Sequence, residues 1–161
     1  MKKPVAFVFL LLWSCTSAFV HSDEIRHSFL IAGPSFTGII DENGQEAWNS
    51  GRPGARDGFI LPNGNALIAW ADEVLEMKPD KTVVFRYAKS ANNSEISTAQ
   101  RLENGRTLIT ELGAQPKLME VDLAGKIHVE IPLLPETDNA HMQTRMARKL
   151  ENGNYLVPHL L

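Results

Sequence analysis

Apolar and polar residues alternate along most of this chain in runs of about five, and each run stops at Gly, Asn, Asp or Pro. Leu118-Met119-Glu120-Val121, ahead of Asp122, and Ala66-Leu67-Ile68-Ala69, behind Asn63-Gly64-Asn65, are typical. Runs this short do not make helices; they suit half-buried strands joined by tight turns. Three turns carry nearly the same text: "LPNGNALIA" at 61–69, "LENGRTLIT" at 102–110 and "LENGNYLVP" at 150–158. Asn-Gly between apolar runs is the strongest short hairpin signal. Asn tolerates positive φ and Gly adopts it freely, so a two-residue type I′ turn is the expected form.

A second element recurs out of phase with the first. "IIDENGQEAW" (39–48), "EMKPDKTVVF" (76–85) and "EVDLAGKIHV" (120–129) align without gaps. Each runs from an apolar residue (Ile40, Met77, Val121) through a polar turn closing at Gly44, Lys81 or Gly125 to an extended segment ending on Trp48, Phe85 or Val129. Together the two elements define a unit of four short strands, a to d. In the third copy these are 96–102, 107–111, 117–122 and 127–131. The Asn-Gly pairs stand 41 and 48 residues apart. Four antiparallel strands at that period predict an all-β fold, a β-propeller of four-stranded blades. A single β-sandwich also has short strands, but it does not require two different turns to recur in one order. Residues 137–150 carry helix formers behind Thr137 or Asp138. Counted back from Asn152, however, their second half falls on strand a, and the repeat is preferred to the propensity.

The LPNGNALI and PKLMEVDLAGKI segments resemble the repeats of exported β-propellers grouped with PQQ-like quinoprotein, NHL and arylsulfotransferase-like propellers. DENGQEAW is similar to the D-x-x-(T)-G-x-x-x-W element of quinoprotein blades, in which the Trp docks one blade on the next. Trp holds that position once, at Trp48; Phe85 and Val129 replace it later. The resemblance runs from Ser28 to the C-terminus. It implies a propeller whose functional face is formed by the b–c and d–a loops. PQQ, a quinoprotein-type oxidoreductase and an arylsulfotransferase-like transferase are implied only by branches of that resemblance.

Three strands precede Gly51 (29–32, 36–41, 45–49), two full units follow at about 55–88 and 95–133, and a partial one covers about 144–161. These thirteen strands make a little over three blades, whereas such rings close with about four to eight. The expectation is an N-terminal portion of a longer propeller; open arcs closed by oligomerisation are the alternative.

Ahead of the repeats, Lys2 and Lys3, the apolar run 5–13 and the small residues after it have the layout of a secretory signal peptide over 1–22. The run is too short to span a bilayer. Lipidation at Cys15 within "LWSC" is the alternative, and the localisation expected is periplasmic or extracellular. Cys15 is the only cysteine, so a chain cut after it has no disulfide or thiol chemistry. The net charge of −3 becomes about −5 without the leader. That argues against nucleic acid as a partner.

Candidate chemistry lies on the b–c and d–a loops. The aligned b–c positions are Gly33, Trp70, Glu111 and His159; the d–a connections hold Arg52, Arg56, Asp57, Asn92, Asn93, Asp138, His141 and Arg145. Arg56, Ser97 and Arg145 each stand seven residues before a turn Asn and are read as equivalents. Arg56 and Arg145 can clamp a carboxylate, sulfate or phosphate, against the ordinary role of blade-to-blade ion pairs. His141 and His159 are candidate bases or ligands, though without metal-ligand spacing. Trp70 can stack on a ligand or simply pack, and Glu111 is either a solvated or a functional acid. No Walker, zincin, G-x-S-x-G or EF-hand pattern occurs. The leading expectation is a module that binds a small molecule or a protein on that face, with a propeller enzyme or an inactive fragment as alternatives.

Overall fold

The computed structural model describes residues 26–160; the expected leader at 1–22 and Cys15 lie outside the described residues. Almost all regular structure is antiparallel β. β1 (Phe29–Ala32), β2 (Thr37–Ile40) and β3 (Glu46–Asn49) form a three-stranded sheet. β4 (Asp57–Ile60), β5 (Ala66–Ala69), β6 (Glu73–Met77) and β7 (Val83–Ala88) form a four-stranded one. A second four-stranded sheet holds β8 (Asn93–Arg101), β9 (Thr107–Gly113), β10 (Lys117–Val121) and β11 (Ile127–Pro132). One helical turn, α1 (Ala140–Gln143), precedes the hairpin β12 (Arg148–Lys149) and β13 (Tyr155–Leu156). In every sheet, strands adjacent in sequence are hydrogen-bonded neighbours. Residues 137–150 thus split: Asn139 caps α1, and strand structure resumes at Arg148.

The turns differ from the type I′ expectation, and all six share one form. In each, the first residue's N–H donates to the carbonyl of the fifth, and the fourth residue's N–H returns to the carbonyl of the first. The bonds are Leu61–Asn65 and Gly64–Leu61 at 2.8 Å, Leu102–Arg106 at 2.8 Å and Gly105–Leu102 at 2.9 Å. Asp41, Lys78, Asp122 and Leu150 start the other four. Only the fourth residue has positive φ (Gly64 81°, Gly105 81°, Gly153 85°); the Asn before it does not. This is the three-residue hairpin loop with a glycine bulge. The Asn serves through its side chain instead: Oδ1 of Asn63, Asn104 and Asn152 accepts the N–H two residues on, each at 3.0 Å. Lys81 takes the glycine position at φ 70°, a conformation that costs an L residue about 1–2 kcal/mol.

Both faces of the central sheets are buried, and the alternation within strands explains how. Ala66 and Ile68 of β5 point into a cluster with Ala55, Trp70, Leu75 and Met77, closed by Trp48 of the first sheet. Leu67 and Ala69, of opposite parity, join Val74 and Phe85 against Ile96, Ala99, Ile109 and Met119 of the next sheet. Leu108 and Leu118 face the other way, toward Ala147, Tyr155 and Val157. A period of two with both parities apolar makes each sheet a layer between two neighbours. Trp48 also donates its indole N–H to the Pro79 carbonyl at 3.0 Å, tying the first sheet to the β6–β7 turn of the second.

A repeated ion pair crosses the same junctions. Glu76 and Glu120 occupy one position of the repeated element, and both are buried. Arg101 reaches Glu76 at 2.6 Å and Lys149 reaches Glu120 at 2.5 Å, each cation lying at the end of the following sheet's first strand. Burial pushes the Glu120 carboxyl up, but Lys149, Tyr155 and Arg106 outweigh it and hold it below the usual range. In the first copy the same two positions hold Ile39 and Ile60, so the ion pair is not repeated there.

The first strands of successive sheets, β4, β8 and β12, are linked by side chains acting as backbone partners. Asp57 accepts the Ala99 N–H at 3.3 Å, Thr98 Oγ1 accepts the Ala147 N–H at 3.0 Å, and Gln100 Oε1 accepts the Lys149 N–H at 2.8 Å. Their starting ends therefore lie together, and the candidate site is built there.

Candidate functional site

Three residues separated by up to 89 positions converge on one carboxylate. Arg56 precedes β4, Glu95 lies on β8, His141 is on α1, and Arg145 follows α1. Arg56 Nη2 donates to Glu95 Oε2 at 2.7 Å, and its Nη1 lies 2.8 Å from His141 Nδ1. A guanidinium only donates, so Nδ1 accepts and the imidazole proton sits on Nε2. Arg145 Nη2 donates to the His141 carbonyl at 2.5 Å, and its Nη1 is 3.5 Å from Glu95 Oε1. Glu95 is buried, the two arginines are mostly buried, and the His141 side chain is 61% exposed. Burial pulls Arg145 below its ordinary value; Glu95 opposes that and neighbouring Arg56 reinforces it.

Glu95 is the member that sequence reasoning missed. Counting back from the turn Asn pairs Arg56 and Arg145 with Ser97, which instead is buried against Thr110, their hydroxyl oxygens 2.9 Å apart. The register of β8 against β9 shifts between Asn93 and Glu95 and again between Ile96 and Thr98. Bulges of this kind re-aim side chains, and these bracket the residue that enters the cluster. The long run of strand-compatible residues from Asn93 to Arg101, two more than its β9 partner, is the one trace of them in the sequence.

The remaining candidates lie elsewhere. Glu111 is fully buried and holds the β7–β8 loop. Its Oε1 accepts Tyr87 Oη–H at 2.7 Å and the Ser90 N–H at 2.8 Å, and its Oε2 accepts the Ser90 hydroxyl and Asn93 Nδ2 at 2.8 Å. Burial pushes its carboxyl up, yet Ser90, Asn93 and Tyr87 hold it below the usual carboxylate range. Trp70 is packed in the core, with its indole N–H on the Pro53 carbonyl at 3.1 Å and Arg52 over its ring at 5.1 Å. Arg52 also pairs with Asp72 and Glu73. Asp57 is buried in a two-pronged pair with Arg148. His159 is exposed and meets Thr144 through a backbone bridge. Gly33 accepts the Gly54 N–H at 2.8 Å, and Asn92 reaches Gln115 at 3.3 Å.

An open groove of about 620 Å³ is lined by Ser94, Gly113, Leu133, Leu134, Asp138 and Gln143 among others. Ser94 and Gln143 are neighbours in the chain of Glu95 and His141, while the four cluster residues themselves do not line it. Gln143 is buried and brackets the backbone of Gly113, accepting its N–H at 2.8 Å and donating to its carbonyl at 3.0 Å. Gly113 has φ 140°, and a Cβ there would lie 2.5 Å from the Ser94 nitrogen. Only glycine lets the β9 end approach the strand that carries Glu95. A second cavity, about 310 Å³, opens at the opposite, turn end between Gln100, Arg101, Lys149 and Glu151.

The cluster does not fit PQQ. A flat tricarboxylate quinone needs a ring or apolar plane to stack on and several uncommitted cations. Here both arginines are engaged by Glu95 and His141, and Trp70 is spent in the core. Among the described residues no group of three His, Cys, Asp or Glu is placed to hold a metal, and no helix is long and apolar enough to cross a membrane.

No protein family and no curated protein matches the chain. Among solved structures it is similar to the crystal structure of a protein of unknown function from Bacteroides caccae, with a TM-score of 0.72 and 22% identity. The match covers 84% of this chain and 51% of the other, so the chain spans about half the length of that protein. At this identity the likeness is one of fold.

Proposed function

We propose that the chain is part of an exported β-propeller that binds a small ligand or a protein partner on the face formed by its b–c and d–a loops. The three sheets and the final hairpin are successive blades in this reading, and β4, β8 and β12 are their inner strands. Layered meanders, side-chain links between those strands, and Trp48 docked on the following β6–β7 turn all support it. The observation that carries the functional reading is the convergence of Arg56, His141 and Arg145, from distant segments, on buried Glu95. Charged groups gathered from several repeats at one face mark a site more than a scaffold.

Paired substitutions separate face from scaffold. A thermal-shift panel of sulfate, phosphate and small carboxylates supplies the probe. Arg145→Ala is expected to weaken the response at least about fivefold while its own melting temperature moves little, because Glu95 keeps its close partner Arg56 at 2.7 Å. Gly105→Val forces a β-branched residue to φ 81° in open space and is expected to cost about 1–3 kcal/mol with the response retained. The reverse pattern would place the functional face at the turn end.

A further inference from the structure

Glu95 Oε1 is buried and accepts no hydrogen bond, although Oε2 of the same carboxylate is held by Arg56. A buried carboxylate oxygen without a donor is costly, and the nearest candidate donors stand just out of range. His141 Nδ1 is 3.4 Å away and Arg145 Nη1 is 3.5 Å away. The imidazole does not donate to it because Nδ1 is already accepting from Arg56 Nη1. Protonation reverses that arrangement. Nδ1–H then turns its proton on Glu95 Oε1, and it can no longer face Arg56 Nη1, because two donors 2.8 Å apart repel. Arg56 stays anchored through Nη2 on Oε2, so only its Nη1 edge is released. The charged groups that face His141 are Arg56 ahead of β4, Glu95 on β8 and Arg145 behind α1; Asp138 lies three residues before it in the chain. With neutral His141 the cluster of two arginines and one glutamate carries one net positive charge, and with the imidazolium it carries two.

The geometry points to a proton-gated oxyanion site. Protonation of His141 satisfies Glu95, frees the Nη1 edge of Arg56, and leaves that edge and the Arg145 guanidinium to take a sulfate-, phosphate- or carboxylate-bearing ligand. The inference rests on the reading of this face as ligand-binding and adds to it the ligand class and the control. Imidazole is the side chain whose charge changes between about pH 5 and 8. Proton and anion therefore favour each other: the anion binds more tightly as pH falls, and by reciprocity it draws a proton onto His141.

Sulfate is the suitable probe, since its charge is constant over this range while that of phosphate is not. Its affinity for the full chain is measured by calorimetry at about pH 5.5 and about pH 8 at matched ionic strength. We expect binding about tenfold tighter at the lower pH, a flat profile in His141→Gln, and a retained profile in His159→Gln. Imidazole nitrogen shifts at about pH 8 should show the His141 proton on Nε2. Equal affinity at both values, or a proton on Nδ1 at high pH, would overturn the gate and leave the binding face standing. No sulfate binding at about pH 5.5, in a chain whose response to some other ligand is still lost in Arg145→Ala, would overturn the oxyanion class alone. Loss of no ligand's binding in Arg145→Ala would remove the binding face and the gate together.

Discussion

Glu111→Leu is expected to destabilise the protein by about 4 kcal/mol, the largest effect of any single substitution considered. The carboxylate gathers four donors from one loop and its flanks: Tyr87 Oη–H, the Ser90 N–H and hydroxyl, and Asn93 Nδ2. Leucine fills similar space but leaves all four buried or half-buried donors without an acceptor, at about 1–3 kcal/mol for each that water does not reach. Asn93 also accepts the Gln115 N–H and donates to the Gln115 carbonyl, so the β9–β10 loop loosens with the β7–β8 loop. The pH dependence has a definite sign. Hydrogen bonding holds the folded Glu111 carboxyl below its unfolded value of about 4.5. Its contribution is therefore complete above that value and is lost as pH falls through the folded one. Urea unfolding at about pH 7 and about pH 3 checks both parts: the gap between wild type and Glu111→Leu should be wide at the first and narrower at the second. A gap below about 1 kcal/mol at neutral pH would show that the loop does not depend on this carboxylate.

Arg148→Ala is expected to cost about 3 kcal/mol, because it strands a buried carboxylate. Arg148 Nη1 and Nη2 meet Asp57 Oδ2 and Oδ1 at 2.9 and 3.1 Å across 91 residues of chain, and the guanidinium lies 4.9 Å over the Phe59 ring. Burial raises the Asp57 carboxyl above its ordinary 3.8 even with Arg148 and two backbone amides opposing the rise. A group raised on folding favours the fold below its unfolded value and loses that contribution as pH rises through the folded one. Without Arg148 the rise is larger, so the variant should suffer more at pH 7 than at about pH 4. Asp57→Asn combined with Arg148→Met should recover much of the loss, since neither charge is then buried alone. Additive single costs in that double-mutant cycle would mean that β12 does not pack against β4.

The order of the strands was legible in the sequence because the turns announce it. Each hairpin carries a residue that can adopt positive φ and an Asn or Asp that bonds its own backbone, and those requirements are local. Even Lys81, which breaks the glycine rule, sits where the ungapped alignment puts a turn. The turn type was misjudged because Asn-Gly satisfies two geometries, and only the hydrogen-bond pattern tells them apart. Arg56, His141 and Arg145 were legible only as residues of the d–a connections; that they meet on one carboxylate depends on how successive sheets stack. Glu95 was not legible, because two bulges in β8 shift the count by which equivalence is judged. Glu111 stood at an aligned loop position yet serves the scaffold, since its four partners come from another loop and no spacing rule predicts them. The same holds for Asp57 and Arg148, whose pairing depends on how successive sheets stack.

The central claim is that ligand recognition occurs at the starting ends of β4, β8 and β12 and not at the turn end. A residue-resolved sulfate titration followed by amide proton–nitrogen spectra at about pH 5.5 tests it most directly. Both ends offer cations: Arg56 and Arg145 at one, Arg101 and Lys149 lining a cavity at the other. Shifts should gather at Arg56, Glu95, His141 and Arg145 and spare Gly64, Gly105 and Gly153. Shifts confined to Gln100, Arg101, Lys149 and Gly153 would contradict the account and place the site on the opposite face.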